Sequence, residues 1–434
     1  MSNFKKNTQA LHAGHQTKLT GGTRAVPIYQ TSSYVFDNTD HAANLFGLRE
    51  FGYIYTRLNN PTNDILEQRL SAVEGGIGAA VFASGTAAIS TTLLTLLRAG
   101  DHIVSSSSLY GGTYNLLQVT LPRFGITTSF VDADNPDNFQ AAIRPSTRAI
   151  FIESLGNPKL DVLDIAKIAS IAQANNIPLI VDNTVASPAL LNPIRYGANI
   201  VIHSLTKYIG GQGTSLGGVV IDAGTFDWTS GKFPEFTEPS KGYHGLIYSE
   251  AVGNLAFVVK LRVEGLRDLG AALSPYNAFQ IIQGLETLEV RIQKHSANAL
   301  ILAEWLEKQE QVAWVNYPGL ASSNYHELAK KYLPNGQSGV VTFGIKGGYE
   351  AAKIFTDSTE LFSLLANIGD TKSLIIHPAS TTHQQLSEEQ QRTAGVTQDL
   401  IRLSVGLEDI TDLQADITQA LAAVKSNSLT NTNV

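Results

Sequence analysis

Between residues 61 and 221 short apolar runs alternate with amphipathic stretches, and this alternation limits the possible folds more than any other feature of the chain. Runs at 79–83, 101–105, 127–131, 149–152, 177–181, 198–203 and 218–221 have the length of strands. Helical spacing of apolar residues fills the gaps at 64–74, 86–98, 113–123 and 163–175. In the first of these, Ile65, Leu66, Leu70 and Val73 share one face. Strands that alternate with helices in this way are buried on both faces of a mostly parallel sheet. The expected class is α/β, with a mostly parallel seven-stranded sheet.

At 434 residues the chain is too long for one ordinary core. Residues 1–60 show no sustained period and read as an N-terminal arm. Residues 61–265 read as the large α/β domain. Residues 266–434, where helical patterns such as 298–308 dominate and strands are fewer, read as a smaller α+β domain. The stretch 223–249 is long, aromatic and punctuated by Gly and Pro, which marks a functional or partner-facing loop. The polar tail after Lys425 reads as frayed.

Composition narrows the function classes. The chain is 43% hydrophobic and 16% charged, as soluble globular proteins are. Its net charge is −7 with no basic stripe, so no nucleic-acid partner is expected. No apolar stretch reaches the ~18 residues needed to span a bilayer, and the first residues do not read as a secretory signal. No membrane partner is expected, and a cytoplasmic location is. The absence of cysteine removes disulfides, thiolate metal sites and cysteine nucleophiles. Met1 is the only methionine. So little sulfur suits a protein made during sulfur shortage, although compositional drift or engineering gives the same count. His12 with His15, and His377 with His383, lack a ligand cluster, and no metal is expected.

The chemistry concentrates at strand ends, where ligands bind in open α/β sheets. Lys207 follows the run 198–203 and precedes Gly210-Gly211-Gln212-Gly213. An amine wedged between an apolar strand and a glycine-rich loop is poorly placed for surface solvation and well placed to form a Schiff base with an aldehyde. Asp182 closes the run 177–181, either as a partner for a cationic ring or as the N-cap of a helix begun at Asn183-Thr184. An acid for a pyridinium nitrogen and a lysine for an aldehyde are the two groups that pyridoxal phosphate requires. Ser84-Gly85-Thr86 lies between a strand and a helix, which suits a phosphate seat and equally an ordinary connection. Hydroxyls of Ser204 and Thr206 are in reach of the same phosphate. Tyr110, beside Gly111-Gly112, has a face for a flat ring. Asn157 offers an amide to a phenolic oxygen, or simply an Asn-Pro turn. Tyr55 and Arg57 lie in the arm; Arg57 either meets a phosphate, in a second subunit, or is solvated. Arg402, flanked by Ile401 and Leu403, needs an anion, either a substrate carboxylate or an internal acid.

Taken together these motifs resemble the Cys/Met-metabolism pyridoxal-phosphate-dependent enzymes of the fold-type I group. The resemblance runs from about Thr8 to Leu421. Its motifs are Tyr55-Thr56-Arg57, Ser84-Gly85, Tyr110-Gly111-Gly112, Asn157-Pro158, Asp182-Asn183-Thr184, Ser204-Leu205-Thr206-Lys207 and Arg402-Leu403-Ser404-Val405-Gly406. It implies a transferase in which Lys207 holds the cofactor, Asp182 pairs the ring nitrogen, Tyr110 stacks on the ring and Asn157 bonds the ring oxygen. Gly85, Thr86, Ser204 and Thr206 are implied at the phosphate, with Tyr55 and Arg57 joining from an adjacent subunit of a homotetramer built of dimers. Arg402 is implied at the substrate carboxylate, with Ser373 nearby. Lys207, Tyr110 and Tyr55 are the implied catalytic residues. The stretches 230–245 and 367–378 look most like members that replace the γ-acetyl group of O-acetyl-L-homoserine with sulfide or a small thiol, giving homocysteine or methionine and acetate. Members that make or cleave cystathionine, or cleave methionine, share nearly every cofactor residue. Two departures stand out: Thr86 where relatives often carry methionine, and Gly112 where methionine-cleaving relatives often carry cysteine.

Overall fold

The computed structural model describes residues 4–384, 387–393 and 395–431. Seven strands, β1 (Gly78–Phe82), β2 (His102–Ser106), β3 (Thr127–Val131), β4 (Thr147–Glu153), β5 (Leu179–Asp182), β6 (Ile200–Ser204) and β7 (Gly218–Asp222), form one sheet in the order β1-β7-β6-β5-β4-β2-β3. The pairs from β3 through to β6 are parallel, and β7 runs antiparallel to both β6 and β1. The sheet is the expected one, with each strand within two residues of its predicted bounds.

Its central strands are apolar on both faces because helices cover both. Phe151 and Ile180 belong to one apolar cluster, Ile150 and Val181 to the other, and all four are fully buried. Each such side chain contributes about 1.5–3 kcal/mol on burial. The helix Pro61–Glu74 illustrates how the local sequence sets an element. Asn60 Oδ1 accepts from Thr62 N at 2.9 Å, Pro61 stands at the first turn, and Gly75 ends the helix at a φ of +87°. Its Arg69, 1% exposed, pairs with Glu286 Oε1 at 2.7 Å and so ties it to the helix Pro275–Glu286.

A second sheet follows: β8 (Val312–Asn316), β9 (Val340–Ile345), β10 (Ser363–Leu364), β11 (Leu374–Ile376) and β12 (Leu400–Ser404), in the order β10-β11-β12-β9-β8. The helices Leu288–Leu306, Gly348–Ser358 and Ile410–Asn431 pack with it around a third apolar cluster.

Three expectations change, and the 223–249 stretch reveals its packing. The arm is not featureless: it holds helices at Lys6–His12 and Thr39–Phe46, only 7 and 8 residues long and too short for a period to show. The helix expected at 113–123 is broken into an α-helical turn (Gly111–Asn115), a π-helical turn (Leu116–Thr120) and a 3-10 turn (Leu121–Phe124). Pro122 explains the break, since it has no N–H to donate and crowds the carbonyl four residues back. The stretch 223–249 turns its aromatics inward: Trp228, Phe233 and Phe236 are buried and pack on one another, with Trp228 stacked on Phe257 at 5.4 Å between centroids. The tail is helical through Asn431, and residues 432–434 of it lie outside the described residues.

Candidate active site

The carboxyl ends of β4, β5 and β6 bring Glu153, Asp182 and Ser204 to one edge of the sheet. A cavity of about 240 Å³ opens there, lined by Ser84, Gly85, Thr86, Tyr110, Glu153, Asn157, Asp182, Ser204, Thr206, Lys207 and Arg402 among others. Nine of the twelve residues singled out from sequence thus meet in one place. Roomier clefts of about 410 and 730 Å³ lie elsewhere, where Lys260 is already paired with Glu264 in one and Arg262 with Glu67 in the other.

One end of the cavity is built for an anion. The helix Gly85–Leu96 begins there, with Ser84 Oγ accepting from Ala87 N at 3.1 Å. As at every helix start, the first N–H groups, here those of Gly85 and Thr86, have no intrahelical partner and carry the positive end of the dipole. Gly85 is required by close packing: a Cβ there would stand 2.7 Å from Ser204 Cβ. Thr206 Oγ1 also braces the following loop, accepting from Gly217 N at 3.1 Å.

The cavity lining also carries an acid. Asp182 Oδ1 accepts from Thr184 N at 3.0 Å and from Thr184 Oγ1 at 2.5 Å, while the next helix starts only at Ser187. The acid therefore closes a turn rather than capping a helix. Burial pushes its carboxyl up, and the two Thr184 bonds oppose that shift. A cationic ring nitrogen at this point would favour the ionised form.

Lys207 lines the same cavity. Its Nζ donates to Asn367 Oδ1 at 2.5 Å, and burial first, then the Arg402 guanidinium, brings its pKa down to about 8. The loop after it is held by Arg291, which donates to the carbonyls of Tyr208 at 2.8 Å and Gly284 at 2.6 Å. Arg402 is buried, donating from Nη1 to Asn157 Oδ1 at 3.0 Å and from Nη2 to the Asn367 carbonyl at 3.2 Å. Its Nε has no partner, and among the described residues it makes no ion pair, which removes the internal-acid reading. Asn157 is thus both a turn residue, with a cis bond to Pro158, and a cavity residue.

Three residues stand apart. Tyr55 and Arg57 do not line the cavity of their own chain; Tyr55 is 42% exposed with the Arg57 guanidinium 5.4 Å from its ring centre. Ser373 is buried behind the site, its Oγ donating to Glu408 Oε2 at 2.9 Å and accepting from Gly406 N at 2.8 Å. Glu153 and Asn367 are among the cavity residues that carried no expected role. Glu153 ends β4 just as Asp182 ends β5, a signal the strand-end rule already contained. Asn367 opens the 367–378 stretch, but it lies 160 residues from the lysine it bonds, and nothing local announces that bond.

An anion seat, an acid and an amine of lowered pKa around one cavity fit pyridoxal phosphate. A family model described as Cys/Met metabolism PLP-dependent enzyme matches residues 7–422. The chain belongs to this family. Members similar to it include O-acetyl-L-homoserine sulfhydrylase of Leptospira meyeri, 56% identical over 96% of this chain and 97% of the relative. Homocysteine synthase of Schizosaccharomyces pombe is 52% identical over 95% of this chain and 97% of its own length. A crystal structure assigned as O-acetylhomoserine (thiol)-lyase of Campylobacter jejuni superposes with a TM-score of 0.93 at 47% identity, covering 96% of this chain and 100% of that one. That structure holds N'-pyridoxyl-lysine-5'-monophosphate. Like its family, this enzyme is pyridoxal-phosphate-dependent. Among the described residues no helix is long and apolar enough to cross a membrane.

Proposed function

We propose that the enzyme catalyses γ-replacement on O-acetyl-L-homoserine, exchanging acetate for sulfide or a small thiol and releasing L-homocysteine or methionine. The observation that carries this reading is the amine of Lys207, lowered to about 8 in the lining of a cavity, in a chain 56% identical to an O-acetyl-L-homoserine sulfhydrylase.

Bound pyridoxal phosphate supplies an electron sink that weakens the Cα–H bond and, in turn, the bond from Cγ to acetate. The chain's residues do the rest. Lys207 would hold the cofactor through Nζ and, as a neutral amine, would take the α-proton of the substrate. Asp182 pairs the ring nitrogen and keeps it protonated. Tyr110 would stack on the ring and Asn157 would bond the ring oxygen. Gly85, Thr86, Ser204 and Thr206 hold the phosphate. Arg402, whose Nε is free, grips the substrate carboxylate, with Ser373 supporting from behind.

The reading extends to the assembly. Tyr55 and Arg57 complete the phosphate seat of a neighbouring subunit, in a homotetramer of dimers that acts in the cytoplasm. Support for the sharing is their absence from the cavity of their own chain. The division into an arm to residue 60, a cofactor domain to residue 265 and a C-terminal domain is part of the same proposal.

A steady-state assay of purified protein tests the function. O-acetylhomoserine with sulfide is expected to give homocysteine and acetate. Turnover of cystathionine or methionine alone, with none of the acyl substrate, would overturn the reading.

A further inference from the structure

Glu153 stands in the cavity wall, 4% exposed, in register with Asp182 on the neighbouring parallel strand. Its Oε1 accepts from Tyr110 N at 2.6 Å, and the Asn157 N–H lies against the same carboxyl. Asn157 in turn receives Arg402 Nη1 on Oδ1 at 3.0 Å. The second carboxyl oxygen, Oε2, is buried with no partner. One side chain therefore touches both loops that frame the cavity and, through the second loop, the arginine.

We infer that Glu153 is a positioning residue: it ties the Tyr110 and Asn157 loops together and, by way of Asn157, sets the orientation of Arg402. The inference rests on the proposed roles of those three residues. Among the described residues no cation pairs with Glu153. The ionisable groups that act on it are acids, Asp182 on β5 and Asp161 beyond the 154–160 turn. Two carboxyls on neighbouring strands at one dry edge do not both ionise readily, and burial first, then Asp182, pushes Glu153 well above the usual carboxylate range. Burial and Asp182 both favour the neutral form of this carboxyl, which accepts from Tyr110 N at 2.6 Å with the Asn157 N–H beside it. Its charge is not what the site uses.

Substitutions separate this role from others. Glu153→Leu keeps bulk and removes both acceptors. Glu153→Asp keeps the acid and falls one methylene short. Glu153→Gln keeps the reach and the accepting oxygen. Each is purified as holoenzyme and checked by circular dichroism melting. The KM for O-acetylhomoserine, kcat, and the rate of cofactor release on dilution, followed by absorbance, are then measured. Loss of the bridging bonds is expected to raise KM and speed cofactor release roughly tenfold in Glu153→Leu and Glu153→Asp, with a smaller change in kcat. Glu153→Gln is expected to recover both to within about threefold of the parent. Parent-like KM and release in Glu153→Asp, the variant least apt to misfold, overturns the inference. Equal losses in Glu153→Gln and Glu153→Leu overturn it too, since charge would then be what matters. Arg402→Met is the control on the underlying assignment. If its KM is unchanged, the role given to Arg402 fails, whereas a raised KM there beside an unaffected Glu153→Leu defeats only the positioning role.

Discussion

The amine of Lys207 offers the sharpest test of the site. Its pKa falls from the ordinary 10.5 to about 8, through burial first and Arg402 second. A drop of that size corresponds to about 3 kcal/mol of extra cost for the ammonium over the amine. At pH 7 about 9% of the side chain is then neutral, against about 0.03% for a solvated lysine, a gain of roughly 300-fold. The gain is expressed before any chemistry, in cofactor-stripped protein. The assay is the rate of pyridoxal capture between pH 6 and 10, trapped with borohydride, counted by mass spectrometry at Lys207 and divided by the rate for N-acetyl-lysine methylamide. The normalised rate is expected to rise with pH to a midpoint near 8. Two substitutions should move that midpoint in opposite directions. Arg402→Met removes a like charge and raises it, though it stays well below 10.5 because burial is the larger cause. Asn367→Leu removes the oxygen that accepts from Nζ at 2.5 Å, an oxygen that favours the ammonium, and the midpoint falls. A midpoint near 10, or two variants that shift the same way, would refute the electrostatic account.

Other expectations rest on the same geometry. Asp182→Asn keeps the Thr184 turn but cannot hold a ring proton by charge; kcat is expected to fall about 100-fold or more in a steady-state assay, with the fold intact by circular dichroism. Arg57→Ala and Lys207→Ala chains, each inactive alone, should regain activity when co-expressed, because mixed dimers then contain one site with all its parts; no recovery in a mixture shown to contain heterodimers would place Arg57 outside the neighbouring cavity. Gly85→Ala would press its Cβ to 2.7 Å from Ser204 Cβ and 2.9 Å from Ser204 Cα, costing roughly 1–3 kcal/mol in denaturant unfolding and weakening cofactor retention.

Legibility in the sequence tracks the range over which each feature is determined. Strand ends are local, and an acid or amine after an apolar run is visible without a structure; Asp182 and Lys207 are legible in that way. Glu153 obeys the same rule and carried no expected role, because the Asn157-Pro158 turn four residues later is the louder local signal. Contacts made across the chain leave no local trace. Asn367 reaches Lys207 over 160 residues, and Arg402 reaches Asn157 over 245. The 223–249 stretch conceals its packing for a different reason. Its Gly and Pro punctuation describes the turns correctly, yet Trp228, Phe233 and Phe236 pack inward between those turns, and punctuation says nothing about which way a side chain faces.

The cavity holds its cations without carboxylates, which suits the two anionic groups proposed to enter it. Lys207 and Arg402 lie close enough for one to depress the other, yet among the described residues neither is paired with a carboxylate. Both are held by neutral oxygens, Lys207 by the Asn367 amide and Arg402 by the Asn157 amide and the Asn367 carbonyl. Arg291 behind them is braced by carbonyls and the Thr287 hydroxyl, and burial brings it to about 10. A carboxylate partner would fix these groups more tightly but would also neutralise their field and keep Lys207 an ammonium. Amide oxygens fix direction and leave the charge unspent. Asn367 therefore does two things at once: it aims the lysine amine and it holds the arginine that keeps that amine's pKa low.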